Sequence, residues 1–99
     1  MDKDEVIRLM EDHSNVLLTE YGISKIGIFG SVVKGTMTED SDLDIVVEFN
    51  KPIGFKFNRL VEYLENLLGR KVDVLTKDGI KNIRVKEIAR NIEKDLIYV

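Results

Sequence analysis

The most informative part of this chain is Gly30-Ser31-Val32-Val33-Lys34-Gly35, followed after a short polar loop by Ser41-Asp42-Leu43-Asp44. An apolar run from Lys25 to Gly30 precedes it, and a nearly continuous one from Leu43 to Phe49 follows it. Short apolar runs bounded by glycines or polar residues are typical of buried strands. We therefore predict a strand, a glycine-serine turn that begins a helical turn at Ser31, a polar loop and a second strand headed by carboxylates.

The flanking sequence predicts three helices and one more strand. Apolar residues recur at spacings of three and four from Asp2 to Tyr21, from Phe55 to Leu68, and from Ile80 to about Lys94. Gly22 and Gly69 end the first two helices, and an Asp78-Gly79 turn precedes the third. Val72 to Thr76 is a further strand. The apolar tail from Leu96 to Val99 is either an edge strand or part of a contact with a partner.

Strands separated by helices predict an α/β (α+β) fold, with helices packed on a small sheet. A chain of 99 residues is expected to form one domain, residues 1–99. No apolar run has the length of a membrane helix, the N-terminus is too polar for a signal peptide, and there are no cysteines. We expect a cytoplasmic protein with no membrane association. The net charge of −3 makes nucleic acid an unfavourable partner.

Three aspartates are the candidate metal ligands. Asp42 and Asp44 alternate with Leu43, so on a strand both point to the same side. Asp73 lies between two valines on its own strand. If these strands are neighbours, we expect the three carboxylates to meet and face Ser31. Like charges so close require a cation between them, and a ligand set made only of oxygens suits Mg²⁺ or Mn²⁺, completed by phosphate and water.

The glycine-serine turn supplies candidate phosphate ligands. Gly30 allows the backbone to approach a phosphate closely, and Ser31 offers a hydroxyl and an amide at the start of a helix. Lys34 adds a positive charge nearby. Taken alone, the same pattern also describes a simple strand-to-helix turn.

Together these features resemble the polymerase-β-type nucleotidyltransferases. The resemblance rests on Gly30-Ser31, ten intervening residues, Asp42-x-Asp44 and the later Asp73. In size and motif the chain is similar to the minimal (MNT-domain) branch, many members of which are antitoxins encoded beside HEPN-domain toxins. One departure is Lys34, where the family often has arginine; lysine keeps the charge but loses the planar fork that binds phosphate at two points.

The resemblance implies a mixed sheet with helices, two Mg²⁺ ions, and transfer of AMP from ATP to an acceptor hydroxyl. In the antitoxin branch the acceptor is a tyrosine of the HEPN ribonuclease, which implies a hetero-oligomer. Asp42, Asp44 and Asp73 would be the catalytic metal ligands, with Asp73 also a candidate base. Gly30, Ser31 and Lys34 would bind the nucleotide.

Two other functions stay open at this stage. The chain is alternatively a binding module that neutralises a toxin by masking it, without catalysis. A third function is nucleotide transfer to a small molecule or an RNA end, which the acidic net charge disfavours. Since larger family members carry a further domain for the acceptor, we expect a partner protein to present the acceptor here.

Overall fold

The computed structural model describes residues 1–99 as helices α1 to α6 and strands β1 to β4. In chain order these elements are α1 Lys3–Asp12, α2 Ser14–Tyr21, β1 Ile23–Phe29, α3 Ser31–Lys34, β2 Leu43–Phe49, α4 Lys56–Leu68, β3 Val72–Thr76, α5 Lys77–Lys81, α6 Lys86–Asp95 and β4 Ile97–Tyr98. The bounds of β2 and β3 are those predicted from the sequence. None of the helices combines the length and the apolar character needed to cross a membrane.

The four strands form one mixed sheet in the order β3-β2-β1-β4. β2 pairs parallel with β3 and antiparallel with β1. β4 pairs antiparallel with β1 through Ile97 and Tyr98, so the apolar tail is an edge strand. The predicted α/β architecture, a small mixed sheet packed by helices, is confirmed.

The two faces of the sheet are packed unequally. On one face, here called the core face, strand residues such as Ile45 join a cluster of 13 buried side chains contributed also by α1, α2 and α4. On the opposite face, here called the site face, only Phe29, Val46 and Ile80 form a buried cluster, flanked by half-buried residues of α6. Helix α6 itself buries no residue completely. The site face is therefore the thinner and more accessible side of the sheet.

Two predicted helices are divided in the structure. The segment from Asp2 to Tyr21 breaks at His13, whose ring Nδ1 lies 2.9 Å from the carbonyl oxygen of Leu9. The C-terminal segment forms α5 and α6 instead of one helix. α5 starts early, at Lys77, because Thr76 accepts a hydrogen bond from the Gly79 amide at 2.9 Å and caps the helix. The predicted turn at Asp78-Gly79 is therefore wrong: both residues lie inside α5.

Candidate active site

The parallel pairing of β2 with β3 brings two of the predicted aspartates side by side. Asp44 and Asp73 are direct register partners in this ladder. Because alternate residues of a strand share a face, both lie on the site face, whereas Leu43 and Ile45 turn to the core face. Asp44 is half-buried and Asp73 is exposed. The sequence alone predicted this neighbourhood only on the condition that the two strands pair.

Asp42 lies just before β2, in the exposed segment that leads into the strand. Its charge is nonetheless felt at Asp44. The pKa of the Asp44 carboxyl is raised above its usual value, first by burial and then by the like charges of Asp73 and Asp42. The three aspartates therefore form one electrostatic group centred on Asp44.

The three carboxylates do not close into a cage. The structure contains no group of three or more acidic, histidine or cysteine side chains arranged to hold a metal ion, so the expectation that all three meet at one point is not met. Mg²⁺ seldom uses such cages; it is commonly bound by one or two carboxylates together with substrate phosphates and water. Mutually repelling carboxylates on an accessible face fit this mode of binding, in which the nucleotide supplies the remaining ligands.

Gly30 fits directly against this group. Its φ of +74° and ψ of −142° lie in a region that only glycine adopts readily. A Cβ placed on Gly30 would collide with the Asp44 carboxylate oxygen Oδ2. Glycine is required at this position both for the backbone conformation and for the space that the Asp44 carboxylate occupies.

Ser31 and Lys34 are the first and last residues of α3, a single short turn of helix. The N-cap of this helix is Gly30, and the helical turn begins at Ser31, as the sequence predicted. Lys34 is exposed, and its Nζ lies 3.1 Å from Asp95 Oδ2 at the end of α6. Lys34 also lines a surface groove of about 350 Å³ between α3 and the N-terminal residues 1–4, so ligands can reach it.

Arg70 restrains the loop that precedes Asp42 in the sequence. The sequence alone did not indicate this role. The Arg70 guanidinium Nη1 donates to the carbonyl oxygens of Thr38 and Ser41, each at 3.4 Å. Within the loop the Thr38 amide donates to Ser41 Oγ at 3.0 Å, and the Ser41 amide donates to the Thr38 carbonyl at 3.1 Å. Arg70 precedes β3 by two positions, and nothing in its sequence context indicates this long-range contact.

A surface groove of about 570 Å³ lies elsewhere. It is formed at the opposite ends of β2 and β3 by residues 47–52, 76–78 and 81, and includes none of the three aspartates. The aspartates of the register pair therefore lie outside this groove, on the site face of the sheet.

Known proteins match almost the whole chain. The family model described as "Nucleotidyltransferase domain" matches residues 10–99. The chain is 44% identical over 98 residues to "Putative protein adenylyltransferase MJ1379" of Methanocaldococcus jannaschii, covering 96% of this chain and 95% of that protein. It is 39% identical over 97 residues to "Protein adenylyltransferase MntA" of Thermococcus cleftensis, covering 97% and 94%.

Solved structures show the same fold. A "putative minimal nucleotidyltransferase" superposes with a TM-score of 0.72 at 30% identity, over 98% of this chain and 95% of that one. A toxin-antitoxin crystal structure with AMP-PNP superposes with a TM-score of 0.63 at 19% identity, over 99% of this chain and 72% of that one. A toxin-antitoxin MntA-HpeT structure gives a TM-score of 0.60, also at 19% identity, over 100% and 72%.

Proposed function

The chain belongs to the nucleotidyltransferase domain family, and from this membership we propose that it is a protein adenylyltransferase that moves AMP from ATP to a hydroxyl group of a partner protein. The observation that carries the proposal is the register pairing of Asp44 with Asp73 on the open site face, directly beside Gly30. The names of the relatives at 44% and 39% identity support protein as the acceptor class.

In this proposal Gly30, Ser31 and Lys34 would bind the triphosphate, while Asp42, Asp44 and Asp73 would hold Mg²⁺, up to two ions. Bound Mg²⁺ would lower the pKa of the attacking hydroxyl and offset charge on the leaving pyrophosphate. The acceptor oxygen forms a bond to the α-phosphorus, and the bond from that phosphorus to the bridging oxygen of pyrophosphate breaks. Asp73, the most exposed carboxylate of the register pair, accepts the proton of the acceptor hydroxyl.

The chain's own residues provide orientation for this transfer. Asp44 lies on β2, which pairs with a strand on each side, and its carboxylate is next to Gly30. Arg70 fixes the loop that carries Asp42. The open site face leaves space for a large acceptor, as a protein side chain on a partner surface requires.

We further propose that the acceptor is a tyrosine of a HEPN-domain toxin and that the chain is its antitoxin. The support is indirect: the relative at 39% identity is named MntA, and an MntA protein is part of a toxin-antitoxin structure of the same fold. The HEPN partner and the tyrosine come from the resemblance in the aspartate and glycine-serine motif.

Incubation with α-labelled ATP, Mg²⁺ and the candidate toxin tests the proposal. We expect label on the toxin with the native chain, and at least a hundredfold less with Asp44→Asn. Mass spectrometry of the product should locate AMP on a tyrosine. A stable complex in which the native chain transfers no label would contradict the enzyme.

The alternative is a binding module that neutralises the toxin by masking it. Lys34, which stands where the family often has arginine, favours it, since lysine lacks the planar fork that binds phosphate at two points. The discriminating variant is Asp42→Asn with Asp44→Asn in the same chain. Full neutralisation of the toxin by this double variant would favour masking, whereas loss of neutralisation with retained complex formation would favour catalysis.

A further inference from the structure

The Lys34 ammonium, which lies at the end of the glycine-serine turn, already contacts a carboxylate of this chain. It forms an ion pair with Asp95, at 3.1 Å between Nζ and Oδ2, and this is one of two ion pairs in the structure. The other joins Lys77 to Glu48, at the C-terminal ends of β2 and β3, away from the aspartates. The site therefore has an internal carboxylate bound to the very group proposed to bind phosphate.

The position of Asp95 makes the pair informative. Asp95 is the last residue of α6, where the helix dipole disfavours a negative charge. Its carboxylate is mostly shielded, with 22% of the side chain exposed, whereas 57% of the Lys34 side chain is exposed. Lys34 supplies the compensating charge for Asp95, and its own flexible stem lies in solvent, free to swing towards another anion.

We propose that Asp95 sets the affinity of the site for the nucleotide by competing with phosphate for Lys34. The inference rests on the proposed function, in which Lys34 contacts the triphosphate. When the nucleotide binds, Lys34 exchanges the Asp95 carboxylate for a phosphate oxygen. Asp95 is thus a positioning residue that acts through Lys34 and does not touch the reacting atoms.

The exchange has a consequence for the C-terminal part of the chain. Helix α6 has no fully buried residue and packs on the site face through half-buried side chains such as Ala89 and Ile92. The ion pair is its charged link to α3. Nucleotide binding should loosen the end of α6, and by linkage a partner that holds Asp95 elsewhere should tighten nucleotide binding.

Calorimetric titration of a non-hydrolysable ATP analogue, with Mg²⁺ present, tests the proposal on four chains: native, Asp95→Asn, Lys34→Ala and the double variant. We expect Asp95→Asn to bind about two- to fivefold more tightly than the native chain, the range that exposed ion pairs support. The gain should vanish when Lys34 is alanine, because the cycle isolates the coupling of the two residues.

Glu93→Gln is the matched control, since it removes one negative charge from the same helix and Glu93 forms no ion pair. It should leave affinity unchanged. Circular dichroism checks folding, and Asp95→Ala replaces the amide variant if that variant does not fold. Hydrogen exchange on the native chain gives a second measurement: amides of residues 92–96 should exchange faster when the analogue is bound.

Unchanged or weaker binding by Asp95→Asn, or a gain that persists without Lys34, would overturn the proposal while leaving the proposed function intact. A native chain that binds no nucleotide at all would overturn both. A gain for Glu93→Gln equal to that for Asp95→Asn would show a general charge effect and would also overturn it.

Discussion

The two faces of the sheet differ although the same strands form them. On β2, Leu43, Ile45 and Val47 are fully buried on the core face, while Asp44 on the site face stays half-buried beside another aspartate. The core face has 13 buried side chains and the site face three. The difference indicates that one face supplies the stability that lets the other hold repelling charges and an open surface.

The largest expected effect is on stability, and it contrasts a buried leucine of the core face with a half-buried isoleucine of the site face. Leu64 of α4 is fully buried, so Leu64→Ala should lower the free energy of unfolding by about 3 kcal/mol. Ile92 of α6 is half-buried, and Ile92→Ala should cost about 1 kcal/mol. Urea unfolding measures both. Equal losses at the two positions would show that stability is shared between the faces.

The two glycines that flank α3 have different surroundings, and replacing each by alanine tests the contact between Gly30 and Asp44. Gly30→Ala should cost about 2 to 3 kcal/mol, since it combines a disfavoured backbone conformation with a collision against Asp44. Gly35→Ala, at a φ of +76° with open space around it, should cost about 1 kcal/mol. Nucleotide binding should be lost only in the first variant. Loss of binding in both would mean that the turn, and not the contact with Asp44, matters.

Removing the charge of Asp44 should stabilise the fold. Its pKa is raised in the folded chain, so the folded state holds the proton more readily than the unfolded state, and the charged carboxylate opposes folding at neutral pH. Asp44→Asn should therefore be more stable than the native chain at pH 7. The gain should shrink as the pH falls through the raised pKa and vanish below the usual value of 3.8.

Thermal unfolding at pH 7 and pH 3 checks this sign. Asp40→Asn, in the exposed loop, removes the same charge and should change stability by no more than about 0.5 kcal/mol at either pH. Destabilisation by Asp44→Asn at pH 7 would show that its carboxylate is favourably paired in the folded chain.

The smallest expected effect concerns Arg70. Its two hydrogen bonds are long and the loop it fastens is exposed, so Arg70→Ala should lower stability by about 0.5 to 1 kcal/mol. Limited proteolysis within residues 36–41 should nevertheless become faster than in the native chain. Arg84→Ala, at an exposed position, is the control and should alter neither quantity. Unchanged proteolysis in Arg70→Ala would show that the loop holds its own shape.

The sequence was most informative where apolar runs had clear boundaries. Leu43 to Phe49 and Val72 to Thr76 are apolar segments between polar or glycine residues, and both were predicted to the residue. The break at His13 was not predictable, because apolar periodicity continues through it while the side chain contacts a backbone carbonyl. The early start of α5 depends on the Thr76 cap, which is a local sequence signal. The Asp78-Gly79 pair was interpreted as a turn instead.

For the site, the sequence predicted which aspartates share a face of the sheet. It did not predict the contacts that Lys34 and Arg70 make. Alternation along β2 and β3 placed Asp44 and Asp73 on one face once the strands paired. The Lys34–Asp95 and Arg70–loop contacts join residues far apart in sequence, with no local pattern that links them.

Calorimetric titration of ATP into the native chain and Asp44→Asn, each with Mg²⁺ and with chelator, tests whether the aspartates of the site face bind the nucleotide together with a divalent cation. The native chain should bind ATP with Mg²⁺ and at least tenfold more weakly with chelator, and Asp44→Asn should lose that dependence. Equal binding by the native chain with and without Mg²⁺ would contradict the account.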